Sequence, residues 1–104
     1  MNSRIKKIVD TSEIDIIGSD DFLNPFATRA SLVVEQDDCL VEINVDALTI
    51  ECNLWVGETQ YHPSNDEVDY FYSVISREIV KYNDNIKEAR YHDYFNQDET
   101  FYIN

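Results

Sequence analysis

The sequence predicts an α+β fold: a meander of three or four antiparallel strands with one long amphipathic helix packed on one face, in a single domain over residues 1 to 104. Three observations predict it. Residues 39 to 56, CLVEINVDALTIECNLWV, alternate apolar and polar side chains with one change of phase, the mark of two strands joined by a tight turn. Residues 30 to 36 carry the same alternation up to an Asp-Asp pair. Beyond residue 64 the period changes, and Val68, Phe71, Tyr72, Ile75, Ile79, Tyr82 and Ile86 recur at three and four residues, the spacing of an apolar helical stripe.

In chain order, Ile5, Ile8 and Val9 stand at helical spacing and predict a short helix over residues 3 to 12, with a strand starting nearby as the alternative. Residues 13 to 17 alternate with Ile14 and Ile16 inward, an edge strand that Gly18 ends. Residues 19 to 28, SDDFLNPFAT, predict a loop tacked to the core by Phe22, Leu23 and Phe26. A two-residue turn at Asp37 and Asp38 pairs Leu32 with Ile43 and Val34 with Val41. A second turn at Asp46 and Ala47 pairs Val45 with Leu48, Ile43 with Ile50, Val41 with Cys52 and Cys39 with Leu54. That register sets Glu42 directly opposite Glu51. It lines up Val33, Glu42 and Glu51 in one outward row and Glu35, Leu40 and Asn53 in the next, with Trp55 outward near Asp38.

Residues 61 to 65 close the sheet. Ser64 and Glu67 have the spacing of a capping box, and Asp66, Glu67 and Asp69 sit in the first turns, where the helix dipole favours negative charge. Asn83, Asp84 and Asn85 weaken the helix, which either stops and restarts there or runs on to about Tyr91. The aromatic segment from residue 91 to 104 predicts closure of the core, with residues 101 to 103 as a short strand or a packed end.

Charge is the outlier, with 21 acids against 8 bases and a formal net charge of −13. From residue 30 to 76 there is no Lys or Arg, while Glu35, Asp37, Asp38, Glu42, Asp46, Glu51, Glu58, Asp66, Glu67 and Asp69 all fall there. Such a field repels nucleic acid and anionic membranes and attracts basic proteins or divalent cations. Like charges facing each other across a strand pair destabilise it, so facing Glu42 and Glu51 imply a face kept acidic for a reason other than folding.

Several chemistries are excluded by what the chain lacks. Its two glycines, Gly18 and Gly57, are far apart and form no phosphate-cradling loop, so no nucleotide cofactor is expected. Cys39, Cys52, His62 and His92 lack the spacing of a zinc site, and no calcium loop is present; no metal centre is expected, though adventitious divalent binding by Glu42 and Glu51 stays open. The two cysteines share a face at diagonal positions and read as small buried hydrophobes rather than a disulfide. His62 precedes Pro63 at a helix entrance and His92 lies among aromatics, neither beside an evident nucleophile. No catalytic residue is therefore expected. The first ten residues have the bases of a signal peptide without its apolar core, and no stretch reaches membrane-spanning length, so a reducing, cytoplasmic location is expected.

The candidate partner-binding residues are Glu35, Asp37, Asp38, Glu42, Glu51, Trp55, Glu58, Asp66, Asp69 and Tyr70, with the aromatics as anchors and the charge speeding encounter with a basic protein. Tyr70 is expected outward, opposite the apolar stripe and beside Asp66. In size, charge and element order the whole chain resembles small phage-encoded anti-CRISPR and anti-restriction proteins, some of which join a short helix, a small antiparallel sheet and further helices to a strongly acidic surface. The resemblance implies a non-enzymatic inhibitor that offers carboxylates in place of phosphates to the basic groove of a nuclease or other nucleic-acid-binding protein, and it carries over no site residue. One alternative is an immunity protein or antitoxin that neutralises a cognate basic toxin. The other is a metal-dependent hydrolase, against which stands the absence of Lys or Arg to hold a phosphate among residues 30 to 76.

Overall fold

The computed structural model describes residues 2–103, with side chains described through Tyr91. The elements are α1 (Ser3–Thr11), β1 (Asp15–Ile17), β2 (Arg29–Gln36), β3 (Cys39–Asp46), β4 (Thr49–Val56), β5 (Thr59–Tyr61) and α2 (Asn65–Ile103). All five strands form one antiparallel sheet in chain order. The short first helix and the edge strand are present, and β5 brings the sheet to five strands against the expected three or four.

The three central strands are eight residues long each. Two-residue turns follow them, and the first turn residues, Asp37, Ala47 and Gly57, have φ of 55°, 52° and 61°. Positive φ at that position lets a two-residue turn match the twist of the strands it joins. Between β2 and β3 the register is the expected one, with Leu32 opposite Ile43 and Val34 opposite Val41.

Between β3 and β4 it is not. The turn is formed by Ala47 and Leu48, so Asp46 faces Thr49, Val45 faces Ile50, Ile43 faces Cys52, Val41 faces Leu54 and Cys39 faces Val56. Glu42 lies opposite Asn53, and Glu51 lies opposite Asn44; the facing carboxylates do not occur. Leu48, expected inward, stands at the turn tip and is 91% exposed. The Ala47 backbone fixes the turn at this place: its amide donates to the Thr28 carbonyl at 2.8 Å, and its carbonyl accepts the Tyr72 hydroxyl at 2.5 Å. The Thr49 hydroxyl adds a bond to the Asp46 carbonyl at 2.9 Å.

Both helices pack on the inward face of the sheet. Ile5, Ile8 and Val9 of α1 and Phe71 and Ile75 of α2 join Ala30, Leu32, Cys39, Val41, Ile43, Val45 and Leu54 in one core. The α1 start is capped by the Asn2 side chain, which accepts from the Arg4 and Ile5 amides at 3.0 and 3.1 Å. At α2 the capping box forms: the Ser64 amide donates to Glu67 Oε1 at 3.1 Å and the Glu67 amide donates to Ser64 Oγ at 3.2 Å. Glu67 is buried, and its second oxygen accepts the Tyr61 hydroxyl at 2.6 Å. That bond, with the Ser64 donors, holds the Glu67 carboxyl below its ordinary pKa and pushes the Tyr61 hydroxyl up.

Helix α2 runs unbroken through Asn83, Asp84 and Asn85 to Ile103, so no strand forms at residues 101 to 103. Asn83 keeps the helix by using its side chain elsewhere, accepting from the Ala27 amide and donating to the Ala27 carbonyl, both at 2.8 Å. Its 39 residues give a rod of roughly 58 Å, about twice the length of an eight-residue strand. The expected core closure by residues 91 to 104 lies outside the described side chains except at Tyr91, which is exposed.

The loop over residues 18 to 28 is held differently from expectation. Phe22 and Leu23 are 85% and 84% exposed. Only Phe26 packs, with the Arg90 guanidinium 5.9 Å from its ring centre, while Arg90 also donates to the Phe22 carbonyl at 2.6 Å. Polar tethers from α2 replace two of the three apolar anchors, Phe22 and Leu23.

The edges of the sheet are only partly covered. β1 pairs with residues 29 to 31 of β2, and β5 with residues 54 to 56 of β4. Among the described residues, positions 32 to 36 and 49 to 53 thus have a strand on one side only. No helix of the described residues is long and apolar enough to cross a membrane.

Candidate protein-binding face

Because α1 and α2 share one face of the sheet, the other is open. Alternation along each strand puts four rows of side chains there. From the 47–48 turn upward they are Ile17, Arg29, Asp46 and Thr49; Asp15, Ser31, Asn44 and Glu51; Val33, Glu42 and Asn53; and Glu35, Leu40, Trp55 and Gln60.

The layers divide the charge. Helices α1 and α2 hold seven of the eight bases and ten acids, whereas the sheet with its loops holds eleven acids and the single base Arg29. Arg29 sits one residue before the base-free stretch, on the open face, 3.9 Å from the Asp46 carboxylate. Both partners are mostly exposed, so the pair contributes little. The remaining open-face acids, Asp15, Glu35, Glu42 and Glu51, have no ion pair among the described residues.

The predicted residues divide into two sets. Glu35, Glu42, Glu51 and Trp55 lie on the open face, and Asp37, Asp38 and Glu58 lie in the two turns at its upper end. Asp66 and Asp69 are exposed on α2, in the opposite layer. Tyr70 does not point outward alone: it is half-buried between the helices, its hydroxyl donating to Asp10, Lys6 Nζ lying 5.3 Å from its ring centre and Phe71 packed edge-on at 6.2 Å. Asp10 is held below the usual carboxylate range by the Tyr70 hydroxyl and by Lys6. Tyr70 therefore serves the α1–α2 contact.

At the upper end the open face becomes concave. Glu35, Asp37, Asp38, Cys39, Leu40, Trp55 and Gly57 surround a notch of about 360 Å3. Trp55 is half-buried, and its Nε1 donates to Asn53 Oδ1 at 3.0 Å, which fixes the ring. The Gly57 amide donates to the Asp38 carbonyl at 2.5 Å and ties the two turns together. Asp38 also accepts from the Arg4 guanidinium of α1, which holds its carboxyl below the usual range. Glu35 and Asp37 make no ion pair among the described residues, although Asp37 lies within the field of Arg4.

Two features of this site escape the sequence reading. Trp55 belongs to the row of Glu35 and Leu40, where the expected register put Asn53, and Leu40 is part of the floor. Gly57 carries the missed signal: it marks a turn, and counting one eight-residue strand back from it places the preceding turn at Ala47 and Leu48.

Among the described residues the cysteines and His62 form no second site. Cys39 is buried and Cys52 half-buried, both free, and burial pushes the Cys52 thiol up. His62 is exposed; the His92 side chain lies outside those described. Among the described residues no three His, Cys, Asp or Glu side chains converge to hold a metal ion. Comparison of the chain with protein-family models, with curated proteins and with solved structures finds no match.

Proposed function

We propose that the protein is a small non-enzymatic inhibitor whose open sheet face occupies the basic, nucleic-acid-binding surface of a nuclease or other nucleic-acid-binding protein. The observation that carries this reading is the division of charge between the layers. The helices that build the core hold nearly all the bases, and the face left uncovered holds acids with one cation at its lower margin. Solubility alone needs net charge but not the confinement of nearly all the bases to one layer. Glu35, Glu42 and Glu51 take the place of phosphates, Asp37, Asp38 and Glu58 extend the acidic surface at the upper end, and Trp55 is the aromatic anchor. Asp66 and Asp69 fall outside this face and add only to the long-range field.

The test is capture of a partner from lysate on immobilised protein at low and at about 0.5 M salt, a range over which the screening length shrinks severalfold. Identification of the retained protein and challenge with DNA or guide RNA follow. The expected result is a basic nucleic-acid-binding protein that is lost at high salt, is displaced by nucleic acid, and binds Glu42→Lys and Glu51→Lys variants more weakly. A partner that nucleic acid does not displace would refute mimicry and leave the immunity-protein reading in its place.

A further inference from the structure

We propose that the notch beneath the 37–38 turn is a receptor for one arginine side chain of the partner. This deepens the inhibitor reading and rests on it.

The row Glu35, Leu40, Trp55 crosses three adjacent strands. Neighbouring strands are about 4.8 Å apart, so the Glu35 and Trp55 backbones stand roughly 10 Å from each other with Leu40 between them. A side chain lying in the notch therefore rests on an apolar floor with a carboxylate at one end and an indole at the other. The indole edge is already used by Asn53. Its face meets no ring and no cation among the described residues.

These features select guanidinium over other cations. A guanidinium is planar and weakly hydrated, stacks on an aromatic face and forks two N–H donors onto a carboxylate. A lysine ammonium is a compact, strongly hydrated point charge that leaves the indole and Leu40 uncovered. A divalent cation takes oxygen ligands throughout its shell, and the side chains of Leu40 and Trp55 supply none. The same turn already receives one guanidinium on its helix side, where Arg4 meets Asp38. Arg4 also feels the charge of Asp37, so Glu35, which has no ion pair among the described residues, is the main charge a second guanidinium would meet, with Asp37 beside it. Arginines that reach phosphates and bases are what a nucleic-acid-binding groove presents, so an occupant of that groove meets such side chains.

Trp55 is the chain's one tryptophan, so its emission reports the notch directly. The purified protein is titrated with a hexa-arginine peptide and, separately, with a hexa-lysine peptide. The expected result is a saturable change in Trp55 emission with the arginine peptide, at about tenfold tighter apparent affinity than with the lysine peptide, the scale of one forked guanidinium–carboxylate contact. The double variant Glu35→Gln, Asp37→Asn, with circular dichroism and melting unchanged, loses that preference. The control Glu42→Gln, Glu51→Gln weakens both peptides alike and keeps it. Equal responses to the two peptides, no change in emission, or a preference that survives the Glu35/Asp37 variant would each overturn the arginine receptor. Those outcomes leave the acidic-face reading standing if partner capture is still reversed by nucleic acid. A preserved arginine preference without any nucleic-acid-displaced partner would sink the inhibitor reading alone.

Discussion

Ala47 and Leu48 decide which acids share a row on the open face. Moving a two-residue turn by one position shifts every cross-strand pair by two, and a shift of two leaves each side chain on the face it had. Alternation in residues 39 to 56 therefore reads the same in both registers, and the inward residues of the core were legible while their partners were not. What holds the observed register is the Ala47 backbone bonding to Thr28 and Tyr72, contacts that alternation does not record; in the sequence only the spacing back from Gly57 separates the two. The registers also assign Leu48 opposite environments, so Leu48→Ala distinguishes them. At 91% exposure it should change stability by no more than about 0.5 kcal/mol in urea unfolding, as surface substitutions do. Ile43→Ala, from the core, should cost about 2 to 5 kcal/mol in the same assay. A core-sized loss at Leu48 would restore the facing Glu42 and Glu51.

At the scale of elements, the existence of α2 was plain from its stripe, and its start from Ser64 and Glu67. Its passage through Asn83, Asp84 and Asn85 was not, because helix propensity is a weak prior that tertiary contacts override. The overriding contact joins Asn83 to Ala27 across 56 residues of sequence. The same pair anchors the 18–28 loop, whose apolar residues Phe22 and Leu23 give it little hold. Ala27 is 3% exposed, so removing its partner leaves a buried amide and carbonyl unsatisfied. Asn83→Ala should therefore cost about 1 to 3 kcal/mol and speed proteolytic cutting between residues 18 and 28. Unchanged stability and an equally resistant loop would show that the tether is dispensable.

For the whole molecule, acidity was legible from composition, but the segregation of bases into the helical layer required knowing which elements share a side. A net charge of −13 repels itself in the compact state. Added salt should thus raise the melting temperature by a few degrees between about 20 mM and 0.5 M NaCl, while the same salt releases a captured partner. Opposite salt responses of fold and complex, read by differential scanning fluorimetry and by capture, are expected of charge placed for binding; a flat or falling melting temperature would show that repulsion is not felt in the fold. The part-covered edges of β2 and β4 give that repulsion a second office. Unpaired strand edges are templates for joining one sheet to another; positions 32 to 36 and 49 to 53 contain no proline, and among the described residues no further strand pairs with them. Mutual repulsion between copies opposes such joining, and it fades as pH approaches the pI of about 4.2. Acidification therefore carries a hazard separate from unfolding: intact copies meeting edge to edge in a growing ribbon.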